Sequence, residues 1–301
     1  MPMRKETIDL FRVPSGKEFR LKDFNPGWKQ TKELEELGKS VVKERATQIL
    51  EENLAELAAA QDLLYADDRY SVLIVLQAMD AAGKDGAIKH VMSGVNPQGC
   101  QVFSFKKPSS EELDHNFLWR YMKSLPERGR IGIFNRSYYE DVLVVKVHPE
   151  LLGRQLPRDK QKPGKKFWDE RYEDINAFER HLTRNGTVIL KFFLHVSKDE
   201  QKRRFLERPD PPQKNWEVSP SDLEERGYWD DYMKAYEDAL SATSTEWAPW
   251  YVVPADYKWV SRVVVADVIT TALRDLELTY PEVTDEQTKR LADARVRLAA
   301  E

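Results

Sequence analysis

Cysteine is nearly absent. Cys100 is the only one in 301 residues, so no disulfide can form within the chain, and a reducing compartment, the cytoplasm, is the expected setting. Long apolar runs are missing as well: the strongest, Val72 to Leu76, is far too short to cross a bilayer, so no membrane partner is expected. The opening residues, Met1 to Phe11, carry charges and no apolar stretch, unlike a secretory leader. Glycine (13) and proline (16) are modest in number, and no low-complexity tract, internal repeat or interdomain linker interrupts the chain. Neither sign of charge dominates. A formal net charge of −4 gives no global pull toward polyanions, which excludes an extended nucleic-acid surface. His90, His115, His148, His181 and His195 show no metal-ligand spacing and read as structural or surface residues.

What is present is enough apolar material, 41% of residues against 33% charged, for one substantial core. The charge is unevenly spread. From Arg154 to Lys166 six basic residues face one acid, Asp159, and from Arg120 to Arg136 five face Glu127, a pattern that suggests a local anion site. Apolar runs at 71–77, 100–105, 130–134, 187–196 and 250–254 read as buried strands, alternating with helical segments. Thr31 to Tyr65 reads as one long helix, with Leu34, Leu37, Val41, Leu54, Leu57 and Leu64 at helical spacing. Ser109 with Glu112 predicts a capping box for a helix ending before Pro126, while Ser197 with Glu200 and Ser221 with Glu224 predict two further helix starts. Such alternation predicts an α/β fold, a three-layer α/β/α sandwich on a parallel five-stranded sheet. The whole chain, 1–301, is expected to be one domain, with a core at about 30–275, an N-terminal extension over 1–30 and a helical tail over 280–301. Segments 154–166 and 209–220 are the expected mobile loops.

Three stretches carry chemistry. Directly after the first strand and before a helix stands Ala78-Met-Asp-Ala-Ala-Gly-Lys-Asp-Gly86. That context suits a phosphate-binding loop, with backbone amides from Ala82 to Gly86 at a helix N-terminus and the Lys84 ammonium on the phosphate. The usual G-x-x-x-x-G-K-[ST] pattern is broken at Ala78 and at Asp85, where a metal-binding hydroxyl is usual. A plain strand-to-helix turn would need the glycine alone. The second stretch, Ile133-Phe-Asn-Arg-Ser-Tyr-Tyr-Glu-Asp141, ends the third strand. Ligands of open parallel sheets bind at the carboxyl ends of strands, so Asn135, Arg136, Glu140 and Asp141 are expected to face the loop's crevice. Magnesium requires oxygen ligands, for which Asp80, Glu140 and Asp141 are the candidates, and Arg136 is placed to neutralise transferring phosphate. In the third stretch, Lys198 to Arg208, interspersed acids favour a solvated face. Only Arg208 and Lys214, at a proline-rich loop, suggest a lid closing over phosphates.

Together with Lys191-Phe-Phe-Leu-His-Val-Ser-Lys-Asp-Glu-Gln201 and the stretch from Trp229-Asp-Asp-Tyr232 to Ala248-Pro-Trp-Tyr251, these motifs closely resemble the second polyphosphate kinase family over about residues 30–275. The resemblance implies a thymidylate-kinase-like P-loop fold with inorganic polyphosphate as donor and a nucleoside mono- or diphosphate (AMP or ADP, yielding ATP) as acceptor. It places Asp80, Lys84, Arg136 and Asp141 at catalytic or metal-binding positions and Arg208 at a lid arginine. Where many members carry Asp-Arg-Ser, this chain has Asn135-Arg-Ser137, like the subgroup that accepts both mono- and diphosphates. An ATP-dependent kinase of the same fold and a passive polyanion binder are the competing readings. A cluster of carboxylates serves no purpose in the latter. The apolar faces of the first and last helices make a homo-oligomer the expectation.

Overall fold

Strand β1, Ser71–Ala78, is the sequence's most apolar run and lies at the centre of the sheet, buried on both faces. In this computed structural model, which describes residues 8–28, 39–156, 163–207 and 220–301, it pairs in parallel with β3, Ile131–Asn135, and with β4, Thr187–His195. β2, Cys100–Ser104, and β5, Trp250–Pro254, complete a five-stranded parallel sheet in the order β2-β3-β1-β4-β5. All five strands fall within a residue or two of the positions expected from the apolar runs. The runs read as continuous rather than alternating because helices cover both faces.

One helical layer contains α1 (Lys39–Asp67), α2 (Lys84–Val91) and α7 (Lys258–Arg274), with α1 and α2 both packed against α7. The other contains α3 (Lys165–Arg184) and α6 (Trp229–Thr243). Between them in sequence run α4 (Lys198–Glu207) and α5 (Pro220–Gly227), and α8 (Asp285–Ala299) ends the chain with every residue exposed. The N-terminal residues join the body. Val13 N–H donates to Trp250 at 2.9 Å and Val252 N–H to the Phe11 carbonyl at 2.7 Å, so they cover the free edge of β5.

Two expectations change. The Ser109–Glu112 capping box is present, but its helix stops at Leu113 and a second turn begins at Trp119. The Asn116 side chain accepts the Leu118 N–H at 3.0 Å and restarts the chain there, which a single helix would not allow. α5 begins at Pro220, so Ser221 lies inside it rather than capping it, as suits a proline in a first turn. The start of the predicted 31–65 helix, residues 31–38, lies outside the described residues, as do residues 157–162 of the loop expected at 154–166 and residues 209–219 of that expected at 209–220; Lys165 and Lys166 already belong to α3.

A buried polar knot joins the two halves of the α3 layer to the sheet. Lys191 on β4 and Glu179 on α3 have no access to solvent and pair at 2.6 Å. Lys191 also donates to the Tyr139 hydroxyl at 2.9 Å and the Thr243 carbonyl at 2.7 Å, while Tyr138 and Tyr139 donate to Glu179 at 2.8 and 2.9 Å. Removing one partner leaves a buried charge alone. Lys191→Met is expected to lower the unfolding free energy by about 3–5 kcal/mol in denaturant titration, and a loss below about 1 kcal/mol would show that the knot does not support the fold.

Candidate active site

β1 ends at Ala78, and the chain turns into α2 through a loop whose backbone is unusual. Ala81 has φ 60° and Gly83, the N-cap of α2, has φ 107°. Left-handed residues close together turn successive amides to one side, the geometry of an anion nest at a helix N-terminus. Lys84 is the first helical residue, where the dipole disfavours a cation. Its ammonium is half-buried and donates to the Ala78 carbonyl at 3.0 Å, which uses one of its three protons. Burial lowers its pKa, and the charge of Asp80 works in the opposite direction. A local rule broken without structural gain is what a functional position looks like.

β3 brings the second group. Asn135 is in register with Leu76, so the segment that follows lies beside the loop. Arg136 takes φ 65°, again unusual for a residue with a β-carbon, and its Nη2 donates to Asp80 Oδ1 at 3.3 Å. Glu140 is half-buried. Burial raises its pKa, while the charges of Arg136 and Lys84 oppose that shift. Asn135 Nδ2 donates to Asp85 Oδ1 at 2.6 Å and to Ser104 Oγ at 3.4 Å, so its amide is aimed at the loop's unusual carboxylate. Lys84, Asp80, Arg136, Glu140, Asn135 and Asp85 therefore cluster at the carboxyl ends of β1 and β3.

Asp141 does not join them. It lies 3.8 Å from Arg171 Nη1 on α3, and that guanidinium is held over the rings of Phe117 (4.1 Å) and Phe167 (5.2 Å). Burial pushes the Asp141 carboxyl up to about 7, against the pull of Arg171 and Arg120. The three carboxylates read as metal candidates thus do not converge, and no group of three His, Cys, Asp or Glu side chains able to hold a metal exists among the described residues. Asp80 and Glu140 remain together. Magnesium sites commonly use one or two carboxylates with substrate phosphates and water, and this donor set fits that habit.

Arg208 and Lys214 lie outside the described residues. The face of α4 that sequence reading assigned to solvent is instead partly inside: Gln201 and Arg204 are buried and reach the loop backbone. Their spacing from Ser197, four and seven residues on, was the available signal, since that spacing marks one helix face. Arg171 was also missed, because nothing in its sequence neighbourhood distinguishes it from the exposed charges of α3.

The sheet order, the anion nest and the lysine define a class, the P-loop phosphotransferases. The family model for polyphosphate kinase 2 matches residues 40–281, and the chain belongs to that family. It is 56% identical over 256 residues, covering 85% of this chain and 89% of the relative, to the ADP-polyphosphate phosphotransferase of Rhodopseudomonas palustris. It is 46% identical over 272 residues, 90% of this chain and 95% of the relative, to the AMP/ADP-polyphosphate phosphotransferase of Meiothermus ruber. Among solved structures, the polyphosphate kinase 2 of Arthrobacter aurescens TC1 superposes with a TM-score of 0.83 at 40% identity, covering 95% of this chain and 96% of that one. The chain is a polyphosphate-dependent nucleotide kinase.

Two measurements probe the site. Lys84→Ala is expected to cut turnover about a hundredfold or more, as loss of a preorganised charge does, with an unchanged unfolding midpoint. Near-normal turnover in the folded variant would remove Lys84 from the phosphate site. Asp141 provides a pH test. Its raised pKa means that the folded state favours the protonated carboxyl, so that stabilisation is present at low pH and is lost as pH rises through about 7. Between about pH 4 and pH 7 the wild type should therefore lose unfolding free energy relative to Asp141→Asn, which does not titrate, and the difference should level off above that range. A pH-independent difference would show that Asp141 is ionised throughout.

Proposed function

We propose that this enzyme transfers the terminal phosphoryl group of inorganic polyphosphate to both AMP and ADP, producing ATP, and that the reaction is reversible. The observation that carries the reading is the cluster in which the loop lysine, Lys84, meets Asp80, Arg136 and Glu140. Phosphoryl transfer asks little covalent chemistry of a protein. It requires attacking and leaving oxygens held in line and charge stabilised on the moving group. In this reading the amides from Gly83 to Gly86 cradle the donor's end, the Ala82 amide being used on Met79 O at 3.2 Å, and the ammonium of Lys84 and the guanidinium of Arg136 take up charge on the transferred group. Bound magnesium would neutralise phosphate oxygens, with Asp80 and Glu140 as its carboxylates. Asn135 replaces a charge with an amide beside the acceptor, reducing repulsion toward acceptors that differ by one phosphate. Asp141, turned toward Arg171, supports the segment from behind. Arg208 and Lys214 would close over the phosphates. We further take the chain as one kinase domain, cytoplasmic and homo-oligomeric, without a nucleic-acid partner. No helix among the described residues is long and apolar enough to cross a membrane.

The test is a time course of the three nucleotides by chromatography, starting from AMP, polyphosphate and magnesium without ATP. ADP should form first and then fall as ATP rises, a chelator should stop the reaction, and added magnesium should restore it. ADP that never advances would restrict the acceptor to monophosphates. Turnover with ATP as donor but none with polyphosphate would overturn the proposal.

A further inference from the structure

Three consecutive carbonyls of the phosphate loop are held from one side. Gln201 Nε2 donates to Asp80 O at 3.0 Å, and Arg204 Nη1 donates to Ala81 O at 2.9 Å and Ala82 O at 2.7 Å. Both side chains come from α4 and both are buried, at 1% and 5% exposure. Arg204 spends its remaining donors nearby: Nη2 on Ala255 O (2.5 Å) and Asp256 O (3.2 Å), Nε on Glu200 Oε1 (2.7 Å). All five donors of the guanidinium fork are thus used, three of the acceptors lying outside the loop, which makes its position over-determined. Gln201 is oriented in turn, because its Oε1 accepts from Arg226 Nη1 at 2.6 Å. Arg226 belongs to α5 and also donates to the Lys198 carbonyl at 2.9 Å.

A trans peptide is planar, so its carbonyl and the amide of the next residue point in opposite directions. Fixing the carbonyls of residues 80, 81 and 82 toward α4 therefore turns the amides of Ala81, Ala82 and Gly83 away from it. The Ala82 amide is used within the turn, on Met79 O at 3.2 Å. Those of Ala81 and Gly83 are directed to the loop's other side. Ala81 adopts φ 60°, a conformation its β-carbon disfavours, so the loop needs outside support to keep this shape.

We infer that Gln201 and Arg204 are positioning residues: they turn the carbonyls of the loop outward so that its amides meet phosphate, and they tie that conformation to α4 and α5, the helices on either side of residues 208–219. The inference rests on the phosphate-loop reading above and adds the device that sets the loop. It also gives the enzyme a physical connection between the stems of that segment and the groups that bind the transferred phosphoryl.

Arg204→Met, Arg204→Lys, Arg204→Ala and Gln201→Leu, with the exposed Lys202→Met as control, test it in the full chain. The readouts are kcat and KM for acceptor and polyphosphate, and calorimetric binding of inorganic tripolyphosphate. Arg204→Met should lower kcat about a hundredfold, the effect of a misplacement near 1 Å. Tripolyphosphate affinity should fall with it, while the acceptor KM stays within about twofold. Arg204→Lys should recover part of the loss, and millimolar guanidinium should partly rescue Arg204→Ala. A purely structural side chain would lower the melting temperature without guanidinium rescue and without a change in kcat per folded molecule, and that result overturns the inference. If Arg204→Met does not fold, Gln201→Leu, which loses a single carbonyl contact, is judged by the same criteria. A wild type that binds tripolyphosphate in an Arg204-dependent way but does not turn over polyphosphate would sink the proposed function and leave this inference standing.

Discussion

The ion pair between Lys191 and Glu179 decides where the segment 135–141 can lie. A charged pair without solvent is tolerable only when its remaining donors and acceptors are filled, because desolvation alone exceeds the Coulombic gain. Here the three ammonium protons have three acceptors, and one Glu179 oxygen receives two tyrosine hydroxyls. Burial lowers the Lys191 pKa, and the Glu179 carboxylate opposes that shift. Two of the partners, Tyr138 and Tyr139, stand between Arg136 and Glu140 in sequence. The knot therefore anchors the middle of the segment inside the protein and leaves its two flanks at the cluster around Lys84. An apolar replacement of the pair would fill the space but would not fix which residues of 135–141 point outward.

Topology supplies the rest. With β1 at the centre, between β3 and β4, every residue that follows a carboxyl end reaches the same rim, and a right-handed crossover places α2 over the sheet with its N-terminus at that rim. The loop then meets residues that follow β3 on one side and residues of α4, after β4, on the other. Long-range hydrogen bonds such as Arg136 to Asp80 and Arg204 to Ala81 are short in space because the strands that precede them are neighbours. The sheet order, rather than any one contact, brings residues more than a hundred positions apart to a single loop.

Much of this was legible beforehand, for specific reasons. Buried parallel strands carry unbroken apolar runs, so 71–77, 130–134 and 187–196 stood out, and the loop announced itself by a glycine and a lysine where a helix begins. Arg204 did not, because its charge suggests solvent until the carbonyls that neutralise its burial are known, and those lie in the loop at Ala81 and Ala82 and in the turn at Ala255 and Asp256. Arg171 escaped for the same reason. Its burial depends on Phe117 and Asp141, which come from other elements. The helix expected from the Ser109 cap to before Pro126 starts as expected but stops early, because periodicity cannot see an asparagine side chain, Asn116, competing for a backbone amide. Buried polar groups are legible only once their partners are placed.

Adjacency in sequence misled in one further way. Glu140 and Asp141 were expected in the same crevice because they are neighbours following a strand. Residues Tyr138–Val142 form a turn of 3-10 helix, however, and successive side chains there diverge by about 120°. In that turn Tyr138 and Tyr139 both reach Glu179 in the buried knot, Glu140 faces the loop with Lys84 and Arg136, and Asp141, which eclipses Tyr138 three residues back, reaches Arg171. A strand would have alternated them between two faces, and an α-helix would have placed 137 and 141 together. The tight turn is what lets four consecutive residues serve the core, the loop cluster and the supporting cations at once. Glu140 sits among the cations Lys84 and Arg136, while burial raises the Asp141 pKa, with a further push from the Glu140 charge and against the pull of Arg171 and Arg120.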